Sequence, residues 1–195
     1  MTVFRTGGLN FRRRRRKMKI STAKGILLWI VEIFIVLLLA FVLVYCAGMR
    51  VSVVGNSMES TLSDGSVVLV NRFVYNIKEP KAGDVIVFLP NGNEKSHYYI
   101  KRVIGVPGDK VQIKNGLLYV NGELYDVEDT ETIKNAGLAE DEITVGEDEY
   151  FVLGDNRNSS EDSRYADIGM VRKRYIVGKI WFTCSPFEKL GFTKG

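Results

Sequence analysis

The chain has 195 residues, of which 46% are hydrophobic, so it can supply one membrane-spanning helix and one packed domain of medium size. Its formal net charge is +4, but the charges are unevenly distributed. Nine of the 27 Lys and Arg residues lie within residues 1–24, which hold no acid, so residues 25–195 contain 18 basic and 23 acidic residues. Two cysteines, Cys46 and Cys184, exclude a disulfide framework, and no CxxC or Cys/His cluster indicates zinc. We therefore expect two free thiols, no metal and no cofactor.

The basic tail at residues 1–24 directly precedes a long apolar run. Such a tail is typical of nucleic-acid binding or of the cytoplasmic flank of a membrane span, and the adjoining apolar run favours the membrane. Residues 25–48 carry one charged side chain, Glu32. As a helix they would extend roughly 36 Å, which is enough to cross the hydrocarbon core and is longer than the apolar region of a cleaved signal peptide. We predict a retained single-pass anchor in the lipid of the cell (plasma) membrane, with the N-terminus cytoplasmic and residues 49–195 extracytoplasmic.

Beyond the anchor, short β-rich segments alternate with Gly, Pro and Asn turns. Asn115-Gly116, between two such segments, indicates a type I′ hairpin. Residues 126–149 are acidic and lack a clear period, so we interpret them as a surface excursion with little chemistry. The sequence therefore predicts a mainly β fold, with one N-terminal transmembrane helix followed by an all-β, partly closed, barrel-like domain. The predicted strands cover residues 49–54, 66–73, 83–88, 97–106, 110–114, 117–120, 150–153 and 175–182.

Two residues in this domain could form a catalytic pair. Ser57 follows the first β-rich segment, and a serine hydroxyl becomes a nucleophile only when a neighbouring base removes its proton. The single histidine, His97, offers little support for a Ser-His-Asp triad. Lys101 lies among apolar and aromatic residues, and a lysine facing inward there would be desolvated, which lowers its pKa and provides a neutral amine as base. Taken alone, Ser57 is more often a turn residue and Lys101 a surface lysine, and alternation does not decide which way Lys101 points.

A polar loop at residues 154–164 follows a predicted apolar strand. Its composition alone is that of an ordinary loop rich in turn residues. It nevertheless packs acids and arginines into a few positions, and such a cluster can hold a loop rigid through ion pairs and hydrogen bonds. A rigid loop of this kind can present a hydroxyl group to a lysine amine.

Four blocks, in order behind the anchor, resemble type I signal peptidases, the bacterial leader-peptide proteases of the Ser/Lys class. Residues 55–62 resemble the family's nucleophile box, Ser-Met-x-Pro-Thr-Leu, and residues 83–87 resemble its Gly-Asp-x-Val strand. Residues 99–109 resemble Lys-Arg-x-x-Gly-x-Pro-Gly-Asp, and residues 154–164 resemble Gly-Asp-Asn-Arg-x-x-Ser-x-Asp-Ser-Arg. Each block alone is moderately specific, whereas four in order behind such an anchor are highly specific.

The resemblance implies a role for each matching position. Ser57 would be the nucleophile and Lys101 the general base, with Ser160 orienting the lysine. The site would be braced by Asp155, Arg157, Asp162 and Arg164. Substrate would be bound by Met58 and by the strand residues Asp84, Val85, Ile86 and Val87.

Two positions depart from what family members show. Gly55 stands where some members have a hydroxyl that assists the backbone N–H of Ser57 in binding the oxyanion. Ser60 stands in place of the family's proline, whose ring would fix φ and stiffen the turn. Neither change removes a reacting group.

The resemblance implies a membrane-bound serine endopeptidase that removes N-terminal signal peptides from exported preproteins through an acyl-enzyme. Its substrates would carry small residues at the first and third positions before the scissile bond, and nucleic acid would not be a partner. The alternative is a membrane-anchored chaperone or assembly factor that has the same fold without catalysis. The presence of both Ser57 and Lys101 favours the enzyme.

Overall fold

The structure, a computed structural model, describes residues 20–125, 132–186 and 190–193 and contains two compact units that divide between Val42 and Leu43. The described part of the first unit lies in helix α1, Ile20–Ala47. Its segment Lys24–Val42 has a mean hydropathy of 2.9, and none of it is buried within the protein. By length and composition this segment can span a membrane. This segment overlaps the predicted anchor at 25–48. Residues 1–19 of the predicted basic tail lie outside the described part of the chain.

The second unit is built mainly from β-strands, which confirms the predicted fold class. In chain order the elements are β1 (Met49–Ser52), β2 (Val67–Asn71), the short helix α2 (Val74–Ile77), β3 (Val85–Phe88), β4 (Tyr99–Gly105), β5 (Lys110–Lys114), β6 (Leu117–Val120), β7 (Glu123–Leu124), β8 (Ile143–Thr144), β9 (Glu149–Leu153), β10 (Val171–Arg172), β11 (Ile176–Ser185) and β12 (Gly191–Phe192).

The described strands form two sheets. One sheet has the strand order β1-β2-β11-β3-β4-β9-β10, with β12 paired to β11, and curves into a half-barrel. A smaller sheet has the order β7-β6-β5-β8. All pairings between the described strands are antiparallel.

Three clusters of buried side chains hold the β unit together. One cluster joins Val51 of β1 to Met58 and Leu62, which follow in the loop after that strand. A second joins β4, β5, β6 and β9, and a third joins β3, β4, β9 and β10. Full burial of a large apolar side chain contributes roughly 1.5–3 kcal/mol, so these clusters fix the strands that frame the loop after β1.

The turn residues adopt the conformations that the sequence predicts. Asn115 and Gly116 have φ values of 54° and 75°, which places both central residues of the β5–β6 hairpin in the left-handed region. Asn tolerates this region through its short polar side chain, and Gly enters it without steric cost. The predicted type I′ hairpin is therefore present between β5 and β6.

The interpretation of residues 126–149 as a surface excursion stays a prediction: in the described part, residues 132–149, most residues are exposed, and three apolar side chains join the segment to the core. Ile133, Ala139 and Val145 are buried in the same core cluster as β5 and β9, and β8 pairs with β5. The backbone N–H of Leu138 also donates to the carbonyl oxygen of Arg164. These apolar residues are spaced irregularly, so they pack into the core without producing a periodic pattern. Residues 126–131 lie outside the described chain.

Candidate active site

The loop after β1 presents Ser57 beside the core. Gly55 adopts a φ of 85°, and its N–H donates to the side chain of Asp64 over 2.8 Å. Met58 is only 1% exposed, and its carbonyl accepts the N–H groups of Thr61 and Leu62 at 3.1 and 2.8 Å. The Met58 side chain is thus anchored in the core while the preceding residue, Ser57, stays at the surface of the loop.

Lys101 is buried and points at Ser57. It lies in β4 opposite Ile86 of β3, and the residue is 4% exposed. Its Nζ donates a hydrogen bond to Ser57 Oγ over 2.7 Å. Burial lowers the pKa of the Lys101 amine from 10.5 to about 8, although the charges of Asp162 and Glu161 act in the opposite direction. About a tenth of this amine is therefore neutral at pH 7, far more than in an ordinary lysine, and it lies within hydrogen-bond distance of a hydroxyl group.

The loop after β9 contacts the nucleophile candidate through its backbone. The N–H of Asn156 donates to the carbonyl oxygen of Ser57 over 3.1 Å. A Cβ atom on Gly154 would lie 2.4 Å from that same oxygen and 2.3 Å from Ser160 Oγ, so only glycine fits there. Ser160 is buried, and its hydroxyl makes no hydrogen bond within the described chain. Its predicted role in orienting Lys101 stays a prediction.

A buried ion pair holds the same loop together. Arg164 Nε and Nη2 donate to the two carboxylate oxygens of Asp162 at 2.7 and 2.9 Å, and both side chains are almost fully buried. Arg164 also donates to the carbonyl oxygens of Asn135 and Arg157, and Asp162 accepts the N–H of Gly154 over 3.2 Å. Charge-assisted, bidentate pairs of this kind are among the strong hydrogen bonds of proteins. This geometry supports the predicted bracing role of Asp162 and Arg164.

Asp155 is bound by an arginine that the sequence did not indicate as a site residue. Arg102 Nε and Nη2 donate to its two carboxylate oxygens at 2.8 and 2.9 Å. The same guanidinium donates to the carbonyl of Gly83 over 2.7 Å and to Thr61 Oγ1 over 3.1 Å. Arg102 therefore joins the nucleophile loop, the lysine strand and the loop after β9. The position of Arg102 next to Lys101 was the only sequence feature that could have indicated this role. Its partner Asp155 is distant in the sequence, so the ion pair could not be predicted.

Arg157 is buried away from solvent, at 4% exposure. Burial is the main cause that lowers the pKa of its guanidinium. Its Nε and Nη1 atoms make no hydrogen bond with residues 20–125, 132–186 or 190–193. The predicted bracing role of Arg157 consequently stays a prediction.

The predicted substrate-binding role of Asp84, Val85, Ile86 and Val87 is wrong. Both edges of their strand, β3, are occupied, one by β4 and the other by β11, so no extended peptide can pair with it. The three apolar side chains are fully buried. The Asp84 carboxylate accepts the hydroxyl of Tyr75 over 2.9 Å and the N–H of Lys81 over 3.1 Å, and it forms an ion pair with Lys179. Asp84 is thus a structural residue.

A cleft of about 670 Å³ opens at Ser57 and Lys101. One wall is the chain segment 50–58, which includes the predicted substrate residue Met58, and the other is residues 97–101. Among the described strands β1 pairs only with β2, and β9 pairs with β4 only from Arg102 onward. Both walls therefore offer free strand edges. Residues 97–100 were not predicted as a wall of the cleft, because the sequence pattern of a strand does not show which of the strand's edges is paired.

Within the described residues, no three His, Cys, Asp or Glu side chains are grouped so that they could hold a metal ion. Cys184 is a free thiol, and the side chain of Cys46 lies outside the described set.

Ser60 adopts a φ of 93°, which a proline ring, fixed near −65°, cannot reach. A serine in this region is strained by roughly 1–3 kcal/mol, whereas glycine enters it freely. We expect Ser60→Gly to stabilise the protein by about 1 kcal/mol and raise its melting temperature in detergent by roughly 2–4 °C. We expect Ser60→Pro to lower it, because the turn must rearrange.

The matched control for this comparison is Glu59→Gly at the preceding residue, whose φ is not positive, and it should destabilise the turn. A Ser60→Pro protein at least as stable as wild type, with no gain from Ser60→Gly, would contradict the strained turn.

Comparison with known proteins identifies the family. The model for "Signal peptidase, peptidase S26" matches residues 26–184. "Signal peptidase I" of Bacillus amyloliquefaciens is 37% identical over 186 residues, which cover 91% of this chain and 98% of that protein. "Signal peptidase IB" of Staphylococcus aureus (strain COL) is 38% identical over 188 residues, covering 85% of this chain and 93% of that protein.

A solved structure of a signal peptidase I from Enterococcus faecalis V583 aligns with a TM-score of 0.42 and 33% identity, covering 53% of this chain and 97% of that one. The sequence matches, which extend over most of this chain and most of each relative, decide the assignment. The chain belongs to the signal peptidase family, peptidase S26.

Proposed function

We propose that this protein is a membrane-bound serine endopeptidase that removes N-terminal signal peptides from exported preproteins. The observation that carries the proposal is the 2.7 Å contact between Lys101 Nζ and Ser57 Oγ, made by a lysine whose pKa burial lowers to about 8. A general base must lie within hydrogen-bond distance of the proton that it removes and must be deprotonated at the working pH. Family membership supports the same activity, because the matching relatives are named signal peptidases.

The geometry supports a two-step reaction through an acyl-enzyme. Neutral Lys101 takes the Ser57 proton while Ser57 Oγ attacks the scissile carbonyl, and the backbone N–H of Ser57 stabilises the oxyanion. The Lys101 ammonium then gives its proton to the leaving amine. In the second step Lys101 activates a water molecule that hydrolyses the ester at Ser57. Gly55 contributes no side-chain donor to the oxyanion site.

The shape of the cleft supports an extended substrate, for which we propose small residues at two positions. A peptide lying between the free edges of β1 and β4 can form main-chain hydrogen bonds with both walls. Successive side chains of an extended peptide point to opposite faces, so the first and third residues before the scissile bond point the same way. The apolar residues Val53, Met58 and Ile100 line the cleft near Ser57. We propose that they leave room only for small side chains there.

The helix α1 supports a membrane location. Its segment Lys24–Val42 can span a bilayer, and the basic residues preceding it are typical of a cytoplasmic flank. We propose a cytoplasmic N-terminus and an extracytoplasmic β unit. A membrane anchor would raise the local concentration of enzyme and signal peptide for each other, since the apolar core of a signal peptide also inserts in lipid.

Processing of a purified model preprotein by the full chain in detergent tests the proposed function. We expect one cut that follows small residues at the first and third positions, identified by N-terminal sequencing of the product. The Ser57→Ala protein is the matched control and should leave the preprotein intact. An uncut preprotein with the wild-type protein, or equal cutting by Ser57→Ala, would rule out the proposal.

The pH dependence of cleavage checks the lysine base separately. Below its pKa Lys101 is an ammonium group and cannot accept a proton, so kcat should rise about tenfold per pH unit on the acid side. The rise should level off above a midpoint near 8, the pKa of the buried amine. The measurement is kcat at saturating peptide between pH 6 and pH 10. A rate that stays constant between pH 6 and 9 is incompatible with Lys101 as the base.

A further inference from the structure

An aromatic ring lies over the amine of Lys101. The Nζ atom is 5.7 Å from the centroid of the Tyr99 ring, two residues earlier in β4 and therefore on the same strand face. Phe88, opposite Tyr99 in the β3–β4 register, packs against that ring at a centroid distance of 6.0 Å and an angle of 57°. Phe88 is almost completely buried, so it supports the Tyr99 ring from the core side.

Within the described residues, the charged groups that act most strongly on the Lys101 amine lie in one loop, and Arg50 of β1 lines the same cleft. The loop after β9 contributes Asp155, Glu161, Asp162 and Arg164, and their fields partly cancel because the arginine opposes the acids. On its own strand Arg102 is bound to Asp155, and Ile86, opposite in β3, is apolar. The loop after β1 brings the Ser57 hydroxyl, and His97 lines the same cleft.

Lys101 thus has no ion pair with an acid of the described chain. The carboxylates of Asp155 and Asp162 are bound by Arg102 and Arg164. When Lys101 takes a proton inside this site, the new positive charge lacks a direct anionic partner there. The acids Glu161, Asp162 and Asp155 favour the ammonium without an ion pair. The face of the Tyr99 ring adds a closer contact, because a cation within about 6 Å of a ring centroid is attracted by the ring quadrupole.

We propose that Tyr99 is a positioning residue whose ring stabilises the ammonium that forms on Lys101 during the reaction. The inference rests on the proposed function. In that step the O–H bond of Ser57 breaks and its proton binds the lone pair of Nζ. The Oγ–C bond forms, and the π electrons of the scissile carbonyl move to its oxygen. The proton later passes to the leaving amine nitrogen, which returns Lys101 to the neutral form.

The ring has two effects on Lys101 that differ in sign. By excluding water it disfavours the ammonium and lowers the pKa of Lys101. Through its quadrupole it favours the ammonium and raises that pKa. A neutral amine has little interaction with the quadrupole, so this second effect stabilises the transition state more than the ground state. Leucine retains most of the water exclusion and lacks the quadrupole, so Tyr99→Leu separates the two effects.

The test is the pH profile of kcat for the full-length protein in detergent, with a peptide that carries a signal-peptide cleavage region. For Tyr99→Leu we expect the midpoint to fall by roughly half to one pH unit and the plateau kcat to fall about three- to tenfold. Tyr99→Phe retains the ring face and should restore the wild-type midpoint. A midpoint for Tyr99→Leu that is unchanged or higher overturns the inference, because water exclusion alone would then account for the ring.

A second substitution at position 99 keeps the shape of the side chain. It tests the inference even if the Tyr99→Leu protein does not fold. Phenylalanine with a multiply fluorinated ring, incorporated at position 99, fills the same space and has a weakened quadrupole. We expect its midpoint to lie below that of Tyr99→Phe, and equal midpoints for these two proteins overturn the inference.

Ser57→Ala and Lys101→Met, assayed in parallel, separate this inference from the proposed function. If Ser57→Ala cleaves the peptide at the wild-type rate, the proposed function fails. If only Lys101→Met does so, Lys101 is not the base, and the role of Tyr99 is overturned with it. If both are inactive and the midpoints at position 99 do not fall, only the role of Tyr99 is overturned.

Discussion

Lys101→Met should reduce kcat about 10³-fold or more while the protein remains folded. Methionine fills nearly the same space but cannot accept the Ser57 proton, and positioned general bases typically contribute about 10²–10⁴-fold to the rate. The free energy of unfolding should not fall, because the change replaces a buried, poorly solvated amine by an apolar side chain. The measurement is preprotein cleavage in detergent, with the melting temperature of the same sample.

Lys114→Met is the matched control for that substitution. Lys114 is exposed at the end of β5 and does not line the cleft, so its replacement should leave kcat within about twofold of wild type, as is usual for surface changes. Near-normal turnover by a folded Lys101→Met protein would eliminate Lys101 as the base. It would leave Ser57 to be activated by another group.

Gly154→Ala should lower kcat by about 100-fold, although it changes no reacting group. The new methyl group would lie 2.4 Å from the carbonyl oxygen of Ser57 and 2.3 Å from Ser160 Oγ, so the nucleophile loop must shift. A displacement near 1 Å from the reactive geometry can reduce a rate by about 10²-fold. Steady-state cleavage of a peptide substrate, with the melting temperature as a check on folding, measures this effect.

Gly191→Ala provides the comparison, because its added Cβ meets nothing within 4 Å. It should retain the wild-type kcat. If Gly154→Ala kept wild-type activity as well, the close contact between the loop after β9 and the Ser57 backbone would not be needed for catalysis.

The contrast between β3 and β4 shows how far the sequence determines this site. Both strands were predicted, with boundaries within two residues of those observed. The nearly continuous apolar run at residues 85–88 is typical of a strand buried on both faces, and in the structure β3 has a neighbour on each edge. Burial of both faces does not show whether the edges of a strand are paired, so the run alone did not exclude substrate pairing by β3. The resemblance to the family, rather than the edge pairing, led to the wrong assignment.

The pairing of Ser57 with Lys101 could not be derived from strand periodicity. Apolar and aromatic residues flank Lys101 on both sides, so alternation allowed either orientation, and the resemblance to the family supplied the choice. The structure adds the physical cause, since β3 opposite and the loop after β9 enclose the amine. Arg102 was missed as a site residue because its partner Asp155 is 53 positions away in the chain.

The central claim is that the Lys101 amine, while it contacts Ser57, loses its proton at a pH well below that of an ordinary lysine. Titration of the Lys101 side-chain signal by NMR, in selectively labelled full-length protein and assigned by its loss in Lys101→Met, measures this directly. We predict a midpoint near pH 8, the value that burial imposes on this amine. A midpoint at or above about 10, the range of an ordinary exposed lysine, would show that the amine remains charged and cannot act as the base.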